Sequence, residues 1–278
     1  MAAWSVGEAL AEGRRALANT SGTAGQDAQV LLAEVSGARR EHLLAHPEEP
    51  LSPEQQTDFL NGIRRLAAGE PLPYVLGWWE FYGRRFAVSP AVLIPRPESE
   101  LLIDEALRVQ RLRSDGGRLI DLGTGSGCLA ITLALELPGS RPLATDISRE
   151  ALHVARGNAA KHQVQDRINF VCLDLASGLE LRQAIVVANL PYVPTQEAKS
   201  LAHEPRQALE AGADGLLLLH RLLDQFGRRR PEATTVLLEI GAAQASLVMG
   251  LVASLCSPVR SWLVQDLAGH KRVLGMEF

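Results

Sequence analysis

The chain has 278 residues, enough for one large domain or a large and a small one, and its 46% hydrophobic content sets aside wholesale disorder. A net charge of -4 argues against a strongly basic nucleic-acid binder. Cys128, Cys172 and Cys256 form no Cys-x-x-Cys pair, no signal-peptide core stands near the N-terminus and no apolar run approaches about 18 residues, so a cytoplasmic protein without disulfides, metal or membrane partner is expected.

Residues 4 to about 70 read as helices only. Apolar residues recur at helical spacing over 4–17 and 28–35, the latter stopped by Gly37, and a short piece covers 40–45. Ser52-Pro53-Glu54-Gln55 predicts a helix start, with Ser52 as N-cap, Pro53 in the first turn and Gln55 at the capping-box position. His42 and His46 lie four apart but without a carboxylate at metal-site spacing, so they are read as ordinary surface or core histidines. Glu70-Pro71-Leu72-Pro73 breaks the pattern and marks a linker. Residues 78–88 place aromatics around a Gly-Arg turn, which predicts a β-hairpin, and 91–94 reads as a further extended piece. Pro97 is expected to open a helix carrying Leu101 to Leu107.

From Arg118 onward short strands alternate with helices. Strands are expected over 119–122, 141–145, 168–172, 184–188 and 235–240, with a closing hairpin over 259–264 and 272–276 that adds an antiparallel edge. Such alternation predicts a parallel α/β sheet covered on both faces. The expected organisation is a helical module over 1–72, a hairpin linker over 73–95 and the α/β domain over 96–278.

Two stretches carry chemistry. Asp121-Leu122-Gly123-Thr124-Gly125-Ser126-Gly127 follows an apolar strand and opens a helix, where glycines allow a ligand to approach the backbone. Asp146, ending the next strand, suits the hydroxyls of a ribose, an acid that a dinucleotide enzyme would share. The Gly-x-Gly-x-Gly spacing, with Cys128 where a Gly-x-Gly-x-x-Gly fingerprint needs its third glycine, favours S-adenosyl-L-methionine instead. Asp121 is expected near that ligand's cationic end, and Asp174-Leu175 near its adenine. The second stretch is Asn189-Leu190-Pro191-Tyr192, after the apolar strand 184–188. A carboxamide nitrogen is a poor nucleophile, so two acceptors on its N–H bonds would orient it: the Asn189 side-chain oxygen and the Leu190 carbonyl, the latter aimed by Pro191. Tyr192 is expected as a flat wall beside a planar substrate. Together the two half-sites point to methyl transfer from S-adenosyl-L-methionine to an amide or exocyclic amine.

The sequence resembles the release-factor glutamine methyltransferases of the PrmC/HemK type. The resemblance is carried by residues 71–77 and 80–83, by Pro95-Arg96-Pro97-Glu98-Ser99-Glu100, by 121–127, by Glu204-Pro205 with Ala208, Leu209, Gly212 and 214–216, and by Glu239-Ile240-Gly241 with Gln244, Asp266, Gly269 and Arg272. Leu190 stands where the family's Asn-Pro-Pro-Tyr signature has its first proline, and Ser99 where the family has threonine. The resemblance implies a Rossmann-like class I S-adenosylmethionine methyltransferase sheet with a small N-terminal helical domain joined by a β-hairpin. It implies methylation at N5 of the glutamine in the Gly-Gly-Gln loop of bacterial class I peptide-chain release factors, docked in part by the helical module. It also places Arg96 and Pro97 with residues 189–192 at the substrate. Asn-Leu-Pro-Tyr is similar as well to the motif of ribosomal-RNA adenine dimethylases, but those lack the linker and Pro-Arg-Pro-Glu blocks. The alternatives are amine methylation of RNA or DNA, which the acidic charge disfavours, and a non-catalytic cofactor-binding scaffold.

Overall fold

The computed structural model describes residues 4–113, 117–198 and 203–278. The first three residues of the expected helical module lie outside these, as do residues 114–116 and 199–202 of the expected α/β domain. The chain divides into two compact units, Met1–Trp78 and Trp79–Phe278.

The first unit is helical: α1 (Val6–Leu17), α2 (Ala24–Ser36), α3 (Arg40–Ala45), α4 (Pro53–Ala67) and α5 (Leu72–Leu76). Two of these helices begin with reciprocal caps. Ser5 and Glu8 form a capping box on α1, and Ser52 and Gln55 form one on α4 with Pro53 in the first turn. Phe59 is fully buried among Leu17, Leu32 and Ile63, and forms the middle of this unit's core. The stretch read as a linker at residues 70–73 instead starts α5: Pro71 and Pro73 are tolerated because the first turn of a helix has no partners for its N–H groups.

A hairpin, β1 (Trp78–Phe81) and β2 (Arg84–Ala87), starts at the last residue of the first unit and otherwise belongs to the second. Its turn residues are Tyr82 and Gly83, both with positive φ (51° and 68°), the two-residue geometry that matches strand twist, rather than the expected Gly-Arg pair. Phe81 and Phe86 are buried in the core of this unit. Residues 91–94 are not a strand; Val92 and Ile94 are buried one by one in an irregular segment. A single 3₁₀ turn, Pro97–Ser99, leads into α6 (Glu100–Leu112).

The sheet follows: β3 (Arg118–Leu122), α7 (Cys128–Glu136), β4 (Leu143–Asp146), α8 (Arg149–Lys161), β5 (Asn169–Cys172), β6 (Ala184–Ala188), α9 (Thr195–Ala198), α10 (Arg206–Leu209), α11 (Leu217–Arg229), β7 (Thr235–Glu239), α12 (Ala245–Leu255), β8 (Arg260–Gln265) and β9 (Lys271–Glu277). The strand order is β5-β4-β3-β6-β7-β9-β8. The first five strands are parallel, and β9 runs antiparallel to both neighbours. The closing hairpin therefore inserts its second strand inside the sheet and leaves β8 at the edge. Every residue of β6 and β7 is buried, as expected for strands covered on both faces. The order reverses between β3, which pairs with β4 on one side, and β6 on the other, which opens a crevice at the carboxyl ends of the strands. No helix among the described residues is long and apolar enough to cross a membrane.

Candidate active site

A cavity of about 300 Å³ lies at that crevice. Its walls include residues 123–126, Asp146, Asp174, Leu175, Asn189, Leu190 and Pro191, so most of the residues expected at the two half-sites are brought together. Pro95 and Ser99 also reach the wall.

The glycine loop turns through positive φ at Gly123 (72°), Gly125 (54°) and Gly127 (82°). At Gly127 a Cβ would also stand 2.9 Å from Ile131 and 3.1 Å from Ala155, so the loop packs directly on α7 and α8. At Gly125 nothing lies within 4 Å of that position, which leaves the backbone open to a ligand. Asp146 braces the loop: Oδ2 accepts the Gly125 N–H at 2.9 Å and Oδ1 accepts the Ser148 N–H at 2.9 Å. Burial raises its pKa, while these N–H bonds hold it down. Asp174 is half exposed and accepts from the Arg221 guanidinium at 2.6 Å. Leu175 is buried with φ of 49°.

Asp121 does not line the cavity. It was expected near the cationic end of a cofactor, but it lies beneath the loop, 1% exposed. Its Oδ2 accepts from Thr124 Oγ1 at 2.6 Å and from the Ala130 N–H at 3.2 Å, whereas Oδ1 is buried without a partner among the described residues. Burial pushes its carboxyl up to about 7.

The Asn189 carboxamide is oriented by bonds from outside its own motif. Nδ2 donates to Ser99 Oγ at 2.8 Å, and Ser99 Oγ donates to Glu239 Oε2 at 2.6 Å. The other Glu239 oxygen accepts the Tyr192 hydroxyl at 3.1 Å. Burial pushes the Glu239 carboxyl up to about 6, although the two hydroxyl bonds hold it down. Tyr192, expected as a flat wall beside the substrate, is not among the residues lining the cavity, and its hydroxyl ties the motif to Glu239. Its carbonyl accepts from Gln244 Nε2 at 3.1 Å and passes so close to Gly215 that a Cβ there would stand 2.2 Å away. Asn189 Oδ1 and the Leu190 carbonyl accept no hydrogen bond among the described residues. The site can therefore offer two free acceptors beside a glycine-lined cavity.

Arg96 and Pro97, expected at the substrate, do not line the cavity. The Arg96 guanidinium is drawn to buried Glu204, which also accepts the Ile94 N–H at 3.4 Å. Sequence reasoning assigned no role to Ser99, Glu239 or Asn158. Asn158, fully buried on α8, donates to the Ala87 carbonyl at 3.0 Å and the Ser126 carbonyl at 2.8 Å, and accepts the Ala87 N–H at 2.7 Å. It ties the glycine loop to the hairpin. An asparagine among alanines on one helix face was the only sign of it.

Comparison with known proteins bears on both units. Residues 8–77 match the PrmC N-terminal domain and residues 98–222 the methyltransferase small domain. A protein of Koribacter versatilis named release factor glutamine methyltransferase is 38% identical over 258 residues, 89% of each chain. One of the same name from Coxiella burnetii is 37% identical over 251 residues, 89% of this chain and 90% of its own. Among solved structures, the hMettl16 catalytic domain in complex with MAT2A 3'UTR hairpin 1 superposes with a TM-score of 0.55 at 16% identity, covering 89% of this chain and 91% of its own, a likeness of fold alone.

Proposed function

Because the chain belongs to the release factor glutamine methyltransferase family, we propose that it methylates the side-chain amide nitrogen, N5, of a release-factor glutamine with S-adenosyl-L-methionine as donor. The observation that carries this reading is the pair of acceptors, Asn189 Oδ1 and the Leu190 carbonyl, that have no partner among the described residues and belong to residues lining the glycine-lined cavity. An amide NH₂ has two donors, and two fixed acceptors match it. The substrate class is the Gly-Gly-Gln loop of class I release factors, whose two glycines would let a narrow chain enter. A nucleic acid is not required as direct substrate.

When bound, S-adenosyl-L-methionine supplies a methyl group on a cationic sulfur. Gly123, Thr124, Gly125, Ser126 and Gly127 would hold it along the loop, Asp146 would accept from its ribose hydroxyls, and Asp174 with Leu175 would meet its base. Asp121 would act from below by fixing Thr124 and the start of α7. The open face of Gly125 and the cavity volume suit such a ligand. Asn189 and Leu190 would hold the substrate amide so that its nitrogen, rather than its oxygen, faces the reacting carbon, and most of the rate gain would come from this positioning. Pro191 restrains Leu190 to an extended conformation, which keeps its carbonyl in place. We assign the helical unit, residues 1–72 of the expected organisation, to docking the release factor.

The test is mass spectrometry of a purified release factor after incubation with the protein and S-adenosyl-L-methionine. One added methyl group on the Gly-Gly-Gln glutamine is expected. An unmodified glutamine, with cofactor binding demonstrated by calorimetry, would overturn the reading.

A further inference from the structure

A carboxamide has two ends that differ in chemistry but hardly in shape. A flip of the Asn189 side chain would put a donor where the substrate amide needs an acceptor. Ser99 and Glu239, outside the Asn-Leu-Pro-Tyr stretch, decide which end faces the cavity. Glu239, at the end of β7, is 4% exposed and accepts the hydroxyls of both Ser99 and Tyr192. Since the Ser99 proton is committed to that carboxylate, Oγ can only accept from its other neighbour, and that neighbour is Asn189 Nδ2. We propose that Ser99, with Glu239 behind it, is a positioning residue for the transfer: the carboxylate orients the serine hydroxyl, and the hydroxyl locks the Asn189 carboxamide with Oδ1 toward the substrate. This rests on the glutamine-methylation reading above and deepens it.

The geometry makes the lock depend on ionisation. The polar groups facing Glu239 are the Ser99 and Tyr192 hydroxyls, with Glu98, Arg272 and the Cys128 thiol acting through their fields. A protonated Glu239 carries its own O–H and can donate to Ser99 Oγ. The serine proton is then free to turn toward Asn189 Oδ1, and the flipped carboxamide is as well satisfied as the native one. Burial raises this carboxyl to about 6, so the lock is set above that pH and released below it.

Release-factor methylation kinetics and cofactor affinity of three variants test the assignment. Ser99→Ala is expected to lower kcat about ten- to a hundredfold, with cofactor affinity kept to within about twofold. Ser99→Thr, which keeps the hydroxyl, is expected to restore most of the loss. Glu239→Gln can donate to Ser99 as well as accept, so it is expected to lower kcat and to flatten the acid limb expected of the wild type near pH 6. Wild-type kcat in Ser99→Ala, a threonine variant no better than the alanine one, cofactor affinity falling in parallel with kcat, or an unchanged acid limb in Glu239→Gln would each overturn the inference alone. A wild-type protein inactive on the release factor would overturn the functional reading and this inference with it.

Discussion

Asp146 Oδ2 accepts the backbone N–H of Gly125 at 2.9 Å, so the acid that ends β4 is part of the loop's own scaffold. Removing it would loosen the loop and delete the acceptor proposed for ribose hydroxyls. A hydrogen bond to a charged group contributes about 1.5–3 kcal/mol. Asp146→Ala should therefore weaken S-adenosyl-L-methionine binding about tenfold or more by titration calorimetry, and leave kcat at saturating cofactor much less affected. Asp146→Asn keeps an oxygen for Gly125 and should lose less. Wild-type affinity in the alanine variant would refute the role.

Asn189→Ala separates the two half-sites in the opposite direction. The residue reaches the cavity wall, yet its side-chain hydrogen bond runs to Ser99 and none runs to the glycine loop. Turnover should fall about a hundredfold or more, while cofactor affinity stays close to that of the wild type. Loss of both together would mean that the residue holds the cavity's shape, not the substrate.

Asn158→Ala should be costly without touching the chemistry directly. It leaves the part-buried Ala87 N–H and carbonyl and the buried Ser126 carbonyl short of their partner. An unsatisfied buried polar group costs about 1–3 kcal/mol, and several are affected at once. A drop of about 2–4 kcal/mol in unfolding free energy by denaturant titration is expected, with weaker cofactor binding because the Ser126 carbonyl loses its anchor. A variant as stable as the wild type would show that water replaces the side chain without loss.

Much of this site was legible because its elements are local. A glycine loop, the acids at strand ends and an asparagine after an apolar strand each declare themselves within a few residues, and the capping box at Ser52 and Gln55 does the same for α4. What was not legible is pairing across the chain. Ser99 and Glu239 are 140 positions apart and meet because α6 packs on β6 and β7, which brings the 3₁₀ turn that precedes it to the end of β7. Arg96 looked available for substrate, but buried Glu204, 108 positions away, claims its charge. Residues 91–94 have strand composition but find no partner strand and are buried one side chain at a time. The placement of β9 inside the sheet is likewise a tertiary choice, since either strand of a terminal hairpin could pair with β7.

Gly215→Ala should disturb the loop before α11, which lies against the Tyr192 carbonyl of the motif. The residue has φ of 74°, and a Cβ there would meet the Tyr192 carbonyl at 2.2 Å and Gln244 Nε2 at 2.9 Å. The carbonyl is backbone and cannot step aside without moving the motif. Both the strain of positive φ, about 1–2 kcal/mol for a non-glycine residue, and the clash should appear as lost stability, with kcat reduced more than cofactor affinity. Unchanged kcat would show that the Tyr192 turn can move without disturbing Asn189.

Asp121 makes stability depend on pH in a direction opposite to that of a salt-bridged carboxylate. Burial, aided by the nearby Asp146 charge, pushes its folded carboxyl up to about 7 against the Thr124 and Ala130 bonds that hold it down. In the unfolded chain it returns to about 3.9. Between these limits the folded state binds a proton that the unfolded state does not, so this group adds stability as pH falls from about 7 toward 4 and adds none above. Asp121→Asn keeps an oxygen for Thr124 and Ala130 and sets a non-titrating NH₂ where Oδ1 has no partner among the described residues. That exchange is a fixed offset. The difference in unfolding free energy between wild type and variant should then shift toward the wild type by about 1.4 kcal/mol per pH unit across the window. Glu239 titrates in the same direction, but it is present in both proteins and cancels in the difference. Denaturant titrations at pH 8, 7, 6 and 5 suffice, and a difference that does not vary with pH would show that the Asp121 carboxyl is not raised by its burial.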